Sequence, residues 1–127
     1  MKELVVARAA PNAFSPYSPG LSVGQWIFVA GQGGINPETS ELVGDGIAEQ
    51  TEQTLRNIEA LLQAAGASLD DVVSCLVHLT DLSDFPEFNA AYAARFLSET
   101  KPVRTTVHAD LLANMRVEIT AIAYRAR

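Results

Sequence analysis

Between residues 47 and 65 the chain carries an apolar stripe at helical spacing. Ile47, Thr51, Leu55, Ile58, Leu61, Leu62 and Ala65 recur every three or four positions, and Gly66 follows where the pattern stops. A helix with one such face must bury it against another apolar layer. The rest of the chain supplies that layer as short runs rich in β-branched residues: 2–7 (KELVVA), 21–30 (LSVGQWIFVA), 71–79 (DVVSCLVHL), 103–109 (VRTTVHA) and 117–125 (VEITAIAYR) all read as strands. The prolines and serines of 11–20 (PNAFSPYSPG) make that stretch a loop. A second helix is expected after Asp84, which can cap it, with Pro86 in the first turn and Glu87 completing a capping-box pattern. Phe85, Phe88, Tyr92 and Phe96 then fall on one stripe, which reads as a core face rather than a stacking surface for ligands. The order of elements predicts a single α+β domain over residues 1–127, a mixed sheet covered on one side by two helices. No repeat, linker or low-complexity tract interrupts it.

Bulk properties narrow the function classes. A chain of 127 residues, 48% of them hydrophobic, can bury an ordinary core without a metal or disulfide. A formal charge of −6 repels phosphate backbones and anionic lipid surfaces, so neither nucleic acid nor membrane is the expected partner. The lone Cys75 lies in an apolar run and reads as a buried, inert thiol, which suits a reducing compartment. The apolar stretch near the start is short and broken by Arg8, below the length of a signal peptide or a membrane span, so a cytoplasmic protein is expected.

Several chemistries lack their residues. His78 and His108 stand apart from each other and from other ligands at metal spacing, so no metal site is expected. No nucleophile-elbow sequence occurs. Gly31-Gln32-Gly33-Gly34 follows a strand but leads into Ile-Asn-Pro rather than a helix, which argues against a dinucleotide loop; its bare backbone would still let a ligand approach N–H groups closely. Alternation along 103–109 places Arg104, Thr106, His108 and Asp110 on one face, and in the last strand Arg116, Glu118 and Thr120 share a face opposite the apolar one. Were these two strands a hairpin, positions summing to 222 would face each other and set Arg104 against Glu118. Such a pair is either a surface ion pair of little energetic weight or a working pair. In the second case the guanidinium grips a substrate carboxylate while Glu118 handles water.

The chain also resembles the Rid family of reactive intermediate deaminases, also called YjgF. The matching pieces are Pro16-Tyr17-Ser18, Val29-Ala30-Gly31-Gln32, Ala65-Gly66, Asp71-Val72-Val73 and Asp81-Leu82-Ser83-Asp84-Phe85 with Asn89 and Tyr92. Pro102-Val103-Arg104-Thr105 and Val117-Glu118-Ile119 with Ala121-Ile122-Ala123 complete the set, which spans nearly the whole chain in order. The resemblance implies a chorismate-mutase-like fold of about six strands and two helices, assembled as a homotrimer with a central barrel and clefts between neighbours. It implies cofactor-free hydrolysis of 2-imino acids, or their enamine tautomers, to 2-keto acids and ammonia. By motif, Arg104 would bind the imino acid carboxylate, Glu118 would position water and Tyr17 would close the cleft, with Gly31, Asn89 and Thr106 as further substrate-contacting positions. A protonated imine accepts water readily, so such a site needs orientation and one proton-carrying group.

The chain departs from the common pattern at Ser15, Ala30, Val103 and Thr106, and Leu111-Leu112-Ala113 lacks the frequent Leu-Pro. These changes bear on substrate range. The alternatives are a non-catalytic module that binds a small carboxylate, and a related deaminase of a catabolic intermediate such as an aminomuconate. An RNA-cleaving activity, sometimes attached to relatives, fits poorly with the acidic charge.

Overall fold

A computed structural model describes residues 1–126. The strands are β1 (Lys2–Val5), β2 (Gly20–Val23), β3 (Trp26–Gln32), β4 (Val72–Leu79), β5 (Val103–His108) and β6 (Val117–Tyr124); the helices are α1 (Ile47–Ala64) and α2 (Phe85–Ala93). They form one six-stranded sheet in the order β1-β2-β3-β6-β4-β5. Every pairing is antiparallel except β4 with β5, whose crossover contains α2.

The two helices cover one face. On α1, Leu55, Ile58, Leu61 and Leu62 are almost wholly removed from solvent, and they meet alternate residues of the central strands: Ile27 and Val29 on β3, Val77 on β4, Ile119 on β6. The helix stops where the sequence predicts, with Gly66 in the left-handed region at φ +80°. The aromatic stripe is core, as expected: Phe88, Tyr92 and Phe96 are buried and Phe85 packs against them. Cys75 is buried as well. Across the opposite face Trp26, Phe28, Leu76 and Val107 stay exposed, so one chain leaves an apolar sheet surface uncovered.

Four expectations need correction. The run 21–30 is two strands, because Gly24 at φ +59° turns the chain through a tight hairpin that sets Val23 against Trp26. The first strand ends at Val5 rather than residue 7. Asp84 occupies the N-cap of α2 without using its side chain there: both its carboxylate oxygens accept from Nη2 of Arg116 at 2.8 Å. Finally, β5 and β6 are not a hairpin. The connection between them passes over the end of β4, where Ala109 N donates to the Leu79 carbonyl and Thr80 N to that of Arg116, so β4 lies between the two strands. Burial accounts for the arrangement. β4 buries Val72, Cys75, Val77 and Leu79 and belongs at the centre, whereas no residue of β5 is buried, which suits an edge.

Candidate active site

A cleft of about 560 Å³ opens at the end of β3 and β6, walled by the proline-rich loop 11–19 and the connection 112–115. Tyr17, Gly31 and Glu118 all line it. Its shape starts in a bulge. Val29 pairs with Ala121 and Gln32 with Ile119, so Ala30 and Gly31 together oppose Thr120 alone. The extra residue turns Ala30 and Gly31 away from the core and toward Thr120 and Glu118. A Cβ on Gly31 would lie 2.7 Å from Cδ of Glu118 and 3.0 Å from each carboxylate oxygen. The Glu118 carboxylate therefore rests directly on bare backbone, and Gly31 is required for that approach rather than for its own torsions.

Helix α1 holds the loop that follows. Nδ2 of the buried Asn57 donates to the carbonyls of Gly33 (3.1 Å) and Ile35 (2.9 Å). Gln50, also buried, donates from Nε2 to the Gly44 carbonyl and accepts from Arg116 N through Oε1, both at 2.8 Å. Neither residue was singled out from the sequence. The available signal was their spacing: Gln50, Thr54 and Asn57 recur at helical intervals beside the apolar stripe, and buried polar groups at such positions need partners. At the rim, Ser40 (φ 62°) and Ala113 (φ 57°) hold left-handed backbone without being glycine, a local strain of about 1 kcal/mol each that the surrounding contacts must sustain. Ala30, Leu112 and Ala113, among the departures from the family pattern, do line the cleft.

Arg104 lies elsewhere. On β5 it pairs with Cys75, and its guanidinium sits on the helix side of the sheet, over the rings of Tyr92 (4.7 Å to the centroid), Phe85 (5.5 Å) and Phe88 (5.7 Å). Nη1 donates to Oδ1 of Asn89 at 2.9 Å, and among the described residues this is its one hydrogen bond, which leaves most of the donor fork open. The aromatic stripe thus serves as both core and cradle. Burial pushes the Cys75 thiol and the neighbouring Tyr92 phenol upward from their ordinary values, so both stay protonated around neutral pH and Arg104 carries the charge of this cluster. Asn89 spends its carbonyl oxygen on Arg104. Thr106, with Val103 before Arg104, shares β5 and pairs with Val77.

The pairing of Arg104 with Glu118 inferred from a hairpin does not occur. Glu118 pairs with His78 on β4 and points to the open face, opposite the face that carries Arg104. Within one chain, Tyr17, Gly31 and Glu118 come together at the cleft, while Arg104, Asn89 and Thr106 gather at the β5 edge. Among the described residues no three His, Cys, Asp or Glu side chains converge as metal ligands, and no helix is long and apolar enough to cross a membrane.

Known proteins share this sequence pattern and fold. The family described as Endoribonuclease L-PSP matches residues 7–125. A RutC family protein of Pyrococcus abyssi is 46% identical over 125 residues, 98% of each chain. The 2-iminobutanoate/2-iminopropanoate deaminase of Escherichia coli K12 is 38% identical over 128 residues, covering 98% of this chain and 99% of its own. Among solved structures, the YjgF gene product of Escherichia coli superposes with a TM-score of 0.93 at 36% identity, covering 98% and 99% of the two chains.

Proposed function

The chain belongs to the YjgF/RutC family, that of the Rid proteins, and we propose that it is a cofactor-free deaminase that hydrolyses 2-imino acids or their enamines to 2-keto acids and ammonia. The observation that carries this reading is the division of the chemistry into two incomplete halves. A carboxylate set on bare backbone in a cleft with Tyr17 faces one way, and a guanidinium with open donors faces the other. Joined across two copies of the chain, the halves make one site. The exposed apolar sheet face supports the assembly: Trp26 and Phe28 keep 44% and 41% of their surface exposed in a single chain, an arrangement that a homotrimer would bury.

In the joined site Arg104 of one copy binds the substrate carboxylate in a bidentate pair. Glu118 of the next takes a proton from water as the oxygen bonds to the carbon of the protonated imine and the C=N electron pair moves to nitrogen, forming a neutral carbinolamine. That proton then passes from Glu118 to the amine, the C–N bond breaks, ammonia leaves, and the freed Glu118 carboxylate takes the hydroxyl proton as the ketone forms. Tyr17, exposed at the cleft mouth, is suited to cover the substrate. The word endoribonuclease in the family's description finds less support here: among the described residues of one chain no Lys or Arg lines the cleft, Arg104 of a second copy is the one cation the joined site gains, and the chain carries a net charge of −6.

The test is the rate at which purified protein removes 2-iminopropionate or 2-iminobutyrate formed in situ by an amino acid oxidase. Wild type should accelerate the loss, and Arg104→Ala and Glu118→Gln should abolish the acceleration. Equal rates with and without enzyme across an imine panel would overturn the proposal.

A further inference from the structure

Behind the Glu118 carboxylate stands a polar side chain with no partner of its own. His78, on β4, stands directly across from Glu118 on β6. Its Nδ1 is buried, has no hydrogen-bond partner among the described residues, and lies 3.8 Å from Oε1 of Glu118. A buried ring nitrogen without a partner is costly, and the Glu118 carboxylate is an acceptor set close beside it. We propose that His78 is a positioning residue for Glu118, holding Oε1 through an Nδ1–H donor so that Oε2 is turned to the water in the cleft. The inference rests on the deaminase reading for what the carboxylate does, and on geometry alone for what the imidazole does.

The neighbouring strands favour the pair. From β6 the one titratable group beside the ring is Glu118; the next basic residue, Arg116, is committed to Asp84 and to the Asp45 carbonyl. From β5 the register partner is Val107, with Thr105 beyond it, and neither titrates. On its β3 side the carboxylate lies against the Gly31 backbone. Glu118 is therefore flanked by bare backbone on β3 and by an imidazole on β4, and of these two flanks only the imidazole offers a side-chain donor. The gap of 3.8 Å exceeds a hydrogen bond, and modest side-chain rotations would bring the pair within bonding distance when water and substrate fill the cleft. The side chains of His78 and Glu118 keep 24% and 30% of their surface exposed, enough freedom for that rotation.

Two readouts test this. In nitrogen-15 NMR of ring-labelled protein, with His108→Gln used to assign the two imidazoles, the neutral ring of His78 should carry its hydrogen on Nδ1. In Glu118→Ala, which removes the acceptor, that signature should be lost. In the imine assay His78→Phe should lower kcat about tenfold with KM changed less than about twofold, since an oriented carboxylate acts on the transition state rather than on substrate binding; His78→Gln, which keeps a donor, should recover most of the loss. Ring signals indifferent to Glu118→Ala, or wild-type kcat in a folded His78→Phe protein, would overturn the proposal. No turnover by wild-type protein would sink the deaminase reading instead, and the ring signals would still decide whether His78 holds Glu118.

Discussion

Replacing Gly31 by alanine should separate activity from stability. The added Cβ would lie 2.7 Å from Cδ of Glu118, against an ordinary contact distance of 3.4–4 Å, so the carboxyl group must retreat by about 1 Å. It can do so because it is the free end of a flexible side chain, at a cost of about 0.5–1.5 kcal/mol for leaving its rotamer. The backbone raises no objection, since among the described glycines only Gly24 and Gly66 have positive φ. Lower freedom of the unfolded chain returns about 0.4–1 kcal/mol. Net stability should change by less than about 1 kcal/mol, or about 4 °C in Tm for a chain of this size. The rate should suffer more: a reacting group displaced by about 1 Å can lose on the order of 100-fold, equivalent to about 2.7 kcal/mol of activation energy. Thermal melts and the imine assay on the same preparation read both quantities. Gly34→Ala is the contrasting control, because its Cβ would meet the Cα of Gln50 at 2.7 Å, where helix backbone cannot yield. That variant should lose about 1–3 kcal/mol of stability. Undiminished turnover in Gly31→Ala, or a fall in Tm matching that of Gly34→Ala, would refute the claim that Gly31 exists to seat the Glu118 carboxylate.

Three further outcomes are expected. Asn57→Ala should cost about 2–3 kcal/mol in unfolding free energy, read from the denaturant midpoint at unchanged slope, since it strips a buried hydrogen bond from the Gly33 carbonyl and a part-buried one from that of Ile35; a loss under about 0.5 kcal/mol, on that same scale, would contradict it. Asn89→Ala should raise KM about tenfold by freeing the Arg104 guanidinium, with a smaller effect on kcat; an unchanged KM would show that the aromatic cradle alone fixes Arg104. Burial raises the Cys75 thiol above its ordinary 9.0, so the folded state keeps a proton that the unfolded state releases. The associated stability is complete below pH 9 and is lost as pH rises beyond it. Cys75→Ala should therefore show a shallower decline in Tm above pH 9, and a thiol reagent should find Cys75 only after denaturant is added. Rapid labelling of the native protein would contradict this.

Much of the layering was legible because periodicity reports which face of an element is buried. The stripe from Ile47 to Leu62 declared a helix, Gly66 its end, and the alternation from Val117 to Ala123 a strand with Glu118 and Thr120 turned outward. Periodicity does not report neighbours. Glu118 was assigned to the outward face of its strand, but setting it against Arg104 required the two strands to be neighbours and their side chains to share a face; β4, whose buried residues claim the centre of the sheet, separates the strands, and Arg104 turns to the helix side. The bulge at Ala30-Gly31 was equally hidden, since one extra residue leaves little trace in a pattern of period two. The hairpin at Gly24 was missed because the apolar residues on either side of it continue the same run. His78 looked unremarkable without a metal partner, and only the β4–β6 register reveals what it faces.

The place of β4 between the strands that carry Arg104 and Glu118 has a consequence for genetics. If each cleft draws its guanidinium from one copy and its carboxylate from the next, two alleles that are each dead can rescue one another. Mixed trimers of Arg104→Ala and Glu118→Gln chains, assembled at random from equal amounts, would hold intact pairs in about a quarter of their clefts. Neither parent holds any. Co-expression should then restore activity that neither variant shows, and dilution that separates the copies should extinguish it, so that dosage and mixing, rather than the single chain, set the phenotype.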